Sequence, residues 1–200
     1  MKQELDKLLC EKYPKMMVNR NKDMKETCMC WGFECGDGWY NILNQLMGNI
    51  QHHIDWKRSQ RASALRYNRA LKQALNGNKT ALIGYYTFGD TPTDYTFDHV
   101  EEDIEKAKFR DVPNLIAQVT LDQVKEKFGT LRFYYSGGDD YIRGLVSMAE
   151  SMSGVTCEGC GGPANTGSSN GWMRTICEPC EEKRAEAWKK QREKYDETNT

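Results

Sequence analysis

The sequence predicts an α+β chain: a helix-rich domain with a small sheet over residues 1–156, a four-cysteine module over residues 157–182 and a charged helix over residues 183–200. Three observations carry this. Apolar residues recur at spacings of three and four through residues 42–75 and again through residues 142–152, the period of a helix packed on one side. TLRFYY alternates, with Leu131, Phe133 and Tyr135 on one face and Thr130, Arg132 and Tyr134 on the other, which reads as a strand. Two C-x2-C pairs then precede a run rich in Lys and Glu. Helix, strand, Gly-rich turn and helix in that order suggest an α+β domain.

Composition narrows the classes. Leu, Ile, Val and Phe make up 17% of the 200 residues, a level compatible with disorder in a highly charged chain, but the net charge is only −1. Ten per cent aromatics and 9 Met point instead to a core weighted toward those side chains. No apolar run approaches the roughly 20 residues of a membrane span, and no leader reads as an export signal. The expected compartment is a reducing cytoplasm, where clustered cysteines mean metal before disulfides. The neutral total is uneven: residues 1–80 carry net +6 and residues 81–120 net −5. An anion site is therefore sought in the basic segment, and indiscriminate coating of nucleic acid is disfavoured.

Taken in order, Leu5, Leu8 and Leu9 mark a short helix ended by Pro14, and a Gly-punctuated turn region covers residues 28–39. Asp37 is placed to cap a helix bearing Ile42, Leu43, Leu46, Met47, Ile50 and Ile54; the pattern leaves open a break near His52 and His53. Through residues 54–75, Trp56, Ala64, Tyr67, Leu71 and Ala74 share one side. Lys57, Arg58, Arg61, Arg66, Arg69 and Lys72 occupy the other, before Asn76-Gly77 stops the helix. Residues 80–90 read as a short strand or a helix end, residues 100–109 as an acidic helical turn, and LIAQV after Pro113 as a short strand. Thr120-Leu-Asp-Gln123 has the form of a capping box, predicting a helix through Lys125 and Phe128 with Gly129 as its left-handed stop. SGGDD then turns the chain into a helix that buries Ile142, Leu145, Val146, Ala149 and Met152.

The strongest chemical signal is Cys157-x2-Cys160, 16 intervening residues, then Cys177-x2-Cys180. Two residues between cysteines let a tight knuckle aim both sulfurs at one ion about 2.3 Å away, with Gly159, Gly161 and Gly162 relieving crowding. Residues 172–176 supply a strand back to the second pair, and Pro179 suits the first turn of the following helix, so a zinc ribbon or treble-clef-like module is expected. Four thiolates leave no open coordination position, so the expected cofactor is a structural Zn2+. Cys28, Cys30 and Cys35 with His52 or His53 offer a second candidate site, against which stands the commoner role of cysteine as a core residue; Cys10 has no partner.

Two anion-binding candidates follow. The helical arc of Arg58, Arg61 and Arg69, with Trp39 and Tyr40 as neighbouring aromatics, is rich in guanidinium groups, which fork to phosphate and stack on bases; its plainer reading is a solvated face. Arg132 with Tyr134, bracketed by Lys125 and Lys127, is the second, against a half-buried strand with a polar outer face. Gly138 ahead of a helix offers backbone N–H groups, but Asp139 and Asp140 oppose an anion there. No G-x-S-x-G, Walker loop or HExxH occurs, and Asp37, His52, His53, Asp139 and Asp140 show no spacing that demands a hydrolytic site, so a binding protein is favoured over an enzyme.

WGFECGDGWYNIL, and the KFGTLRFY, GGDDYI and AESMS blocks directly ahead of a C-x2-C pair, resemble a family of proteins of tailed phages and prophages, over roughly residues 31–58 and 118–182. The resemblance implies a context and no activity: a viral gene product in a bacterial host cytoplasm. Three readings follow. The first is capture of a small phosphate-bearing ligand, such as a cyclic-nucleotide or ADP-ribose signal of host defence, by Arg58, Arg61, Arg69, Arg132, Tyr134, Trp39 and Tyr40. The second is a zinc ribbon on nucleic acid, and the third an adaptor for a host or phage protein. Localised arginine in a neutral chain favours the first.

Overall fold

The computed structural model describes residues 1–169 and 171–198; the last two residues assigned to the C-terminal helix lie outside the described residues. The fold is α+β, with a three-stranded and a two-stranded sheet among its helices. By compactness the chain divides into Met1–His52 with Ala117–Thr200, and His53–Ile116. No described helix is long and apolar enough to cross a membrane.

In the first unit, α1 (Gln3–Lys12) stops ahead of Pro14 and buries Leu9 while Leu8 stays exposed. A 3-10 turn (Cys28–Trp31), the short β1 (Phe33–Glu34) and a second 3-10 turn (Asp37–Trp39) lead into α2 (Tyr40–Leu75), which passes His52 and His53 without a break. Asp37 does not cap α2. It sits a turn upstream, where its carboxylate accepts the Lys2 backbone N–H at 2.7 Å and pairs with the Lys2 ammonium, contacts that hold it below the usual carboxylate range. Ile42, Leu43, Leu46, Met47 and Ile50 are buried as their spacing predicts, and Met16, Met29 and Trp39 join them, so methionine and tryptophan do supply part of the aliphatic shortfall.

The main sheet runs β1-β2-β3, with β1 parallel and β3 antiparallel to the central strand. Here the capping-box reading fails: residues 120–127 form β2 (Thr120–Lys127), not a helix. A bulge between Leu121 and Gln123 puts the two buried residues, Leu121 and Val124, three apart, which imitates helical spacing. β3 (Thr130–Ser136) follows a two-residue turn in which Phe128 (φ 54°) and Gly129 (φ 80°) are both left-handed, the form whose twist suits a hairpin. Leu131 and Phe133 are buried and Tyr135 is partly covered.

β3 lies at the edge of this sheet, and its outward amides are met by a helix. α5 (Asp140–Ser153), whose first turn is capped by Asp139 accepting from Ile142 N at 3.1 Å, sends Glu150 to Phe133 N (2.9 Å) and Ser153 Oγ to Leu131 N (2.8 Å). Ser153 is buried, so Ser153→Ala would strand a buried N–H. We expect a loss of about 1–3 kcal/mol in denaturant unfolding, and a loss below 0.5 kcal/mol would contradict this role. Ile142, Val146 and Ala149 are buried as expected; Leu145 is only partly buried and Met152 is exposed, contrary to expectation, because both line an open apolar groove with Ile42 and Leu46.

In the second unit, the rest of α2 packs on α3 (Thr80–Tyr86) and α4 (Asp94–Lys106) through Tyr67, Ala70, Leu71, Ala74, Leu82 and Val100. The strand-or-helix alternative at residues 80–90 thus resolves as a helix. α4 begins well before Val100, at a Thr93–Thr96 capping box. LIAQV forms no strand; it stays irregular up to Thr120, where β2 begins. Trp56 is 48% exposed, with the Lys57 ammonium 5.4 Å from its ring, and does not share the buried side with Ala64, Tyr67, Leu71 and Ala74.

Candidate metal centre and ligand face

The cysteine module is a knuckle, a hairpin of β4 (Thr166–Ser169) and β5 (Trp172–Thr175), and α6 (Glu178–Thr198), which carries Cys180 in its first turn. Cys157 N donates to Gly162 O at 2.7 Å and Gly161 N to Cys157 O at 2.8 Å, closing the knuckle with Gly161 at φ 77°. All four sulfurs lie within 4.8 Å of one another, and those of Cys160 and Cys177 are 3.6 Å apart. Four sulfurs around a tetrahedral ion at 2.3 Å would be separated by about 3.8 Å, so this set fits such an ion with little adjustment.

The electrostatics agree. Burial raises the Cys157 thiol, but backbone amides of Cys177, Cys160 and Gly159 directed at its sulfur prevail and bring it down. Hydrogen bonding to the neighbouring sulfurs of Cys177 and Cys160 pushes Cys180 up to about 12. Protein dipoles thus favour one thiolate here, and a cation is what would permit four.

The knuckle is docked on the domain at close range. Gly38 N donates to Glu158 O and Gly36 N to a Glu158 carboxylate oxygen, both at 2.8 Å, while the Trp39 indole N–H donates to Thr156 O at 2.8 Å. Across the module, Glu158 N donates to Thr175 O (2.8 Å), and the buried Thr175 hydroxyl donates to Gly129 O (2.5 Å) at the tip of the β2–β3 hairpin. Gly36, Gly38 and Thr175 were not singled out by sequence; G-D-G marks a turn, but not the chain that turn approaches.

Trp39 is therefore an interior anchor and no ligand platform, correcting its place among the site residues. Its indole is fully buried beneath the knuckle, and Tyr40 is partly buried at the start of α2. The second metal set does not assemble: among the described residues only the C-terminal cysteines gather as a ligand group. The Cys30 thiol donates to Thr27 O at 3.2 Å, and burial pushes the Cys35 thiol up to about 12, the behaviour of a core cysteine.

The arginine arc is only partly a free surface. Arg58 donates to Ile116 O at 3.2 Å and Arg61 to Pro113 O at 2.5 Å, supplying donors to an irregular segment whose carbonyls have no ladder. These bonds tie both side chains to the main chain of residues 113–116 and leave each guanidinium further donors, while Arg69 is exposed. These three lie in His53–Ile116, whereas Arg132 and Tyr134 lie in the first unit.

Arg132 and Tyr134 do share the outer face of the sheet. Arg132 stands opposite Lys125 and Tyr134 opposite Gln123. The Lys125 ammonium is 5.7 Å from the Tyr134 ring, and one Arg132 nitrogen is held by Thr130 Oγ1 and Leu131 O, both at 2.7 Å. The neighbouring acid, Glu34 on β1, accepts from Gln123 at 3.0 Å. Comparison with protein-family models, curated proteins and solved structures finds no match to this chain.

Proposed function

We propose that the four thiolates hold a structural Zn2+ and that the protein is a non-enzymatic binder, taking a phosphate-bearing ligand of nucleotide type on the outer face of β2 and β3. The observation that carries the reading is the cross-strand pair Lys125 and Arg132 beside the exposed Tyr134. Phosphate charge meets the two cations, and Arg132, fixed through one nitrogen, has further donors to offer. Tyr134 gives a base a π-face to stack on. In the phage context that the sequence blocks imply, such capture would sequester a nucleotide signal of host defence, of the cyclic-nucleotide or ADP-ribose type.

A single-stranded nucleic acid is the second reading, favoured by the exposed Phe128 at the hairpin tip with the Lys127 ammonium 5.5 Å from its ring. Titration with cyclic dinucleotides, ADP-ribose and short oligonucleotides decides between them. We expect a nucleotide from the first group to raise Tm, and Arg132→Ala or Tyr134→Ala to weaken its binding roughly tenfold or more. Binding only to oligonucleotides, with a steep salt dependence, would move the assignment to the second reading; no binding in any arm would remove both.

A further inference from the structure

The unit His53–Ile116 holds a second arrangement of cations and aromatic rings. After α4 the chain turns at Ala107 (φ 47°), and Asn68 on α2 clamps the main chain of Arg110 from both sides, donating to its carbonyl and accepting from its N–H, each at 2.8 Å. The Arg110 guanidinium lies 3.8 Å over the centre of the Tyr67 ring and donates to the Tyr85 hydroxyl at 2.6 Å. Tyr67 and Tyr85 are themselves in edge contact at 5.5 Å. Backbone, head group and stacking surface of this arginine are thus fixed before any ligand arrives, which removes much of the ordering cost of binding.

Among the described residues no direct ion pair neutralises its charge. Asp103 accepts from the Tyr86 hydroxyl at 2.5 Å and is hydrogen-bonded by Tyr67; burial and these bonds push Tyr67 up to about 12 and Tyr86 higher, so both phenols stay protonated and keep that carboxylate occupied. Beside Arg110 opens a cleft of about 360 Å3 lined by Tyr67, Asp103, Lys106, Lys108, Phe109, Arg110 and Asp111. Lys106 pairs with Glu102, outside the lining, and Lys108 makes no ion pair among the described residues. Phe109 is 48% exposed at the cleft, and Asp111 adds a carboxylate.

We infer that this cleft binds a nucleoside monophosphate, with the phosphate on Arg110 and Lys108, the base against Phe109, and a sugar hydroxyl donating to Asp111. The volume lies near the lower end of small-molecule sites, roughly 300–1,000 Å3, which suits one nucleotide and not two. Asp111 repels a bare anion but welcomes a hydroxyl, so the site selects a nucleoside phosphate over inorganic phosphate. The inference goes beyond the sheet-face reading and uses none of its residues.

The test is hydrogen exchange and calorimetry on the full chain with adenosine 5′-monophosphate, and with inorganic phosphate in parallel. We expect the nucleotide to protect residues 106–111 in the parent and equally in Arg132→Ala, while inorganic phosphate protects nothing. Lys108→Glu, at a side chain with no ion pair to lose, should leave Tm unchanged and weaken nucleotide binding about tenfold or more. Arg110→Lys should weaken it too, since an ammonium retains the charge but not the stacked planar fork. No protection at 106–111, protection confined to residues 125–134, equal binding of inorganic phosphate, or unchanged affinity in Lys108→Glu would each overturn the cleft assignment. Protection confined to residues 125–134 would leave the sheet-face reading standing.

Discussion

Stripping the metal with a strong chelator, or replacing Cys157 with Ser, is expected to be among the largest single perturbations of this protein. Residues 157–180 contain few apolar side chains, and among their own buried groups are Cys157 and Thr175. A module so built would depend on a bound ion, and metal binding energy would then be folding energy, on the order of 10 kcal/mol for structural zinc in isolated small domains. The loss should spread beyond the cysteines. Trp39 is bonded to Thr156, Gly36 and Gly38 to Glu158, and Gly129 to Thr175, so amides around residues 36–39 and 129 should lose hydrogen-exchange protection together with the knuckle. Metal analysis should find about one zinc per chain before chelation. Unchanged exchange at residues 36–39 after removal would mean that the docking contacts hold without the metal.

Gly38→Ala is expected to be among the most damaging of the small substitutions. A Cβ there would lie 2.2 Å from Cys157 O and 2.4 Å from Gly161 N, both backbone atoms of the knuckle, so no side-chain rotation relieves the clash. Either the knuckle or the 3-10 turn must move. Forced separation of packed backbone costs typically up to 3 kcal/mol and at times more, and here it also pulls Trp39 Nε1 from Thr156 O. Chemical denaturation should show a loss of about 3 kcal/mol with weakened retention of metal. Gly84→Ala, at a helical position where the added Cβ meets nothing within 4 Å, is the control and should be neutral or stabilising. A Gly38→Ala protein as stable as the parent would show that the contact yields more easily than its distances imply.

Much of the architecture was legible where one residue type has one local use. The C-x2-C pairs, the capped α5 and the alternating β3 are of this kind, because knuckle geometry, a side-chain cap and a pleat act within a few residues of sequence. β2 carries a capping-box pattern and a glycine stop that suit a helix, and its bulge removes the alternation that would have marked a strand; bulge positions follow from strand pairing, not from the strand's own composition. The surroundings of the candidate ligand residues are hidden from the sequence for a related reason. Arg58 and Arg61 resemble a free basic stripe until their acceptors appear 58 and 52 residues away in the chain. Trp39 lies in a glycine-rich turn and reads as exposed until Thr156, 117 residues on, accepts its indole proton. Arg110 is inconspicuous in the acidic stretch that surrounds it, while the rings that hold it come from α2 and α3.

The bonds from Glu150 and Ser153 to the outer amides of β3 have a meaning beyond the stability of one chain. A strand edge with free N–H groups is a template on which another polypeptide can pair, and addition of that kind begins fibrils and domain-swapped aggregates. Here two of the docking points are already taken by side chains, and the opposite edge, β1, is two residues long. Both margins of the sheet thus offer little for another copy to pair with, and the protein should resist edge-to-edge association at high concentration.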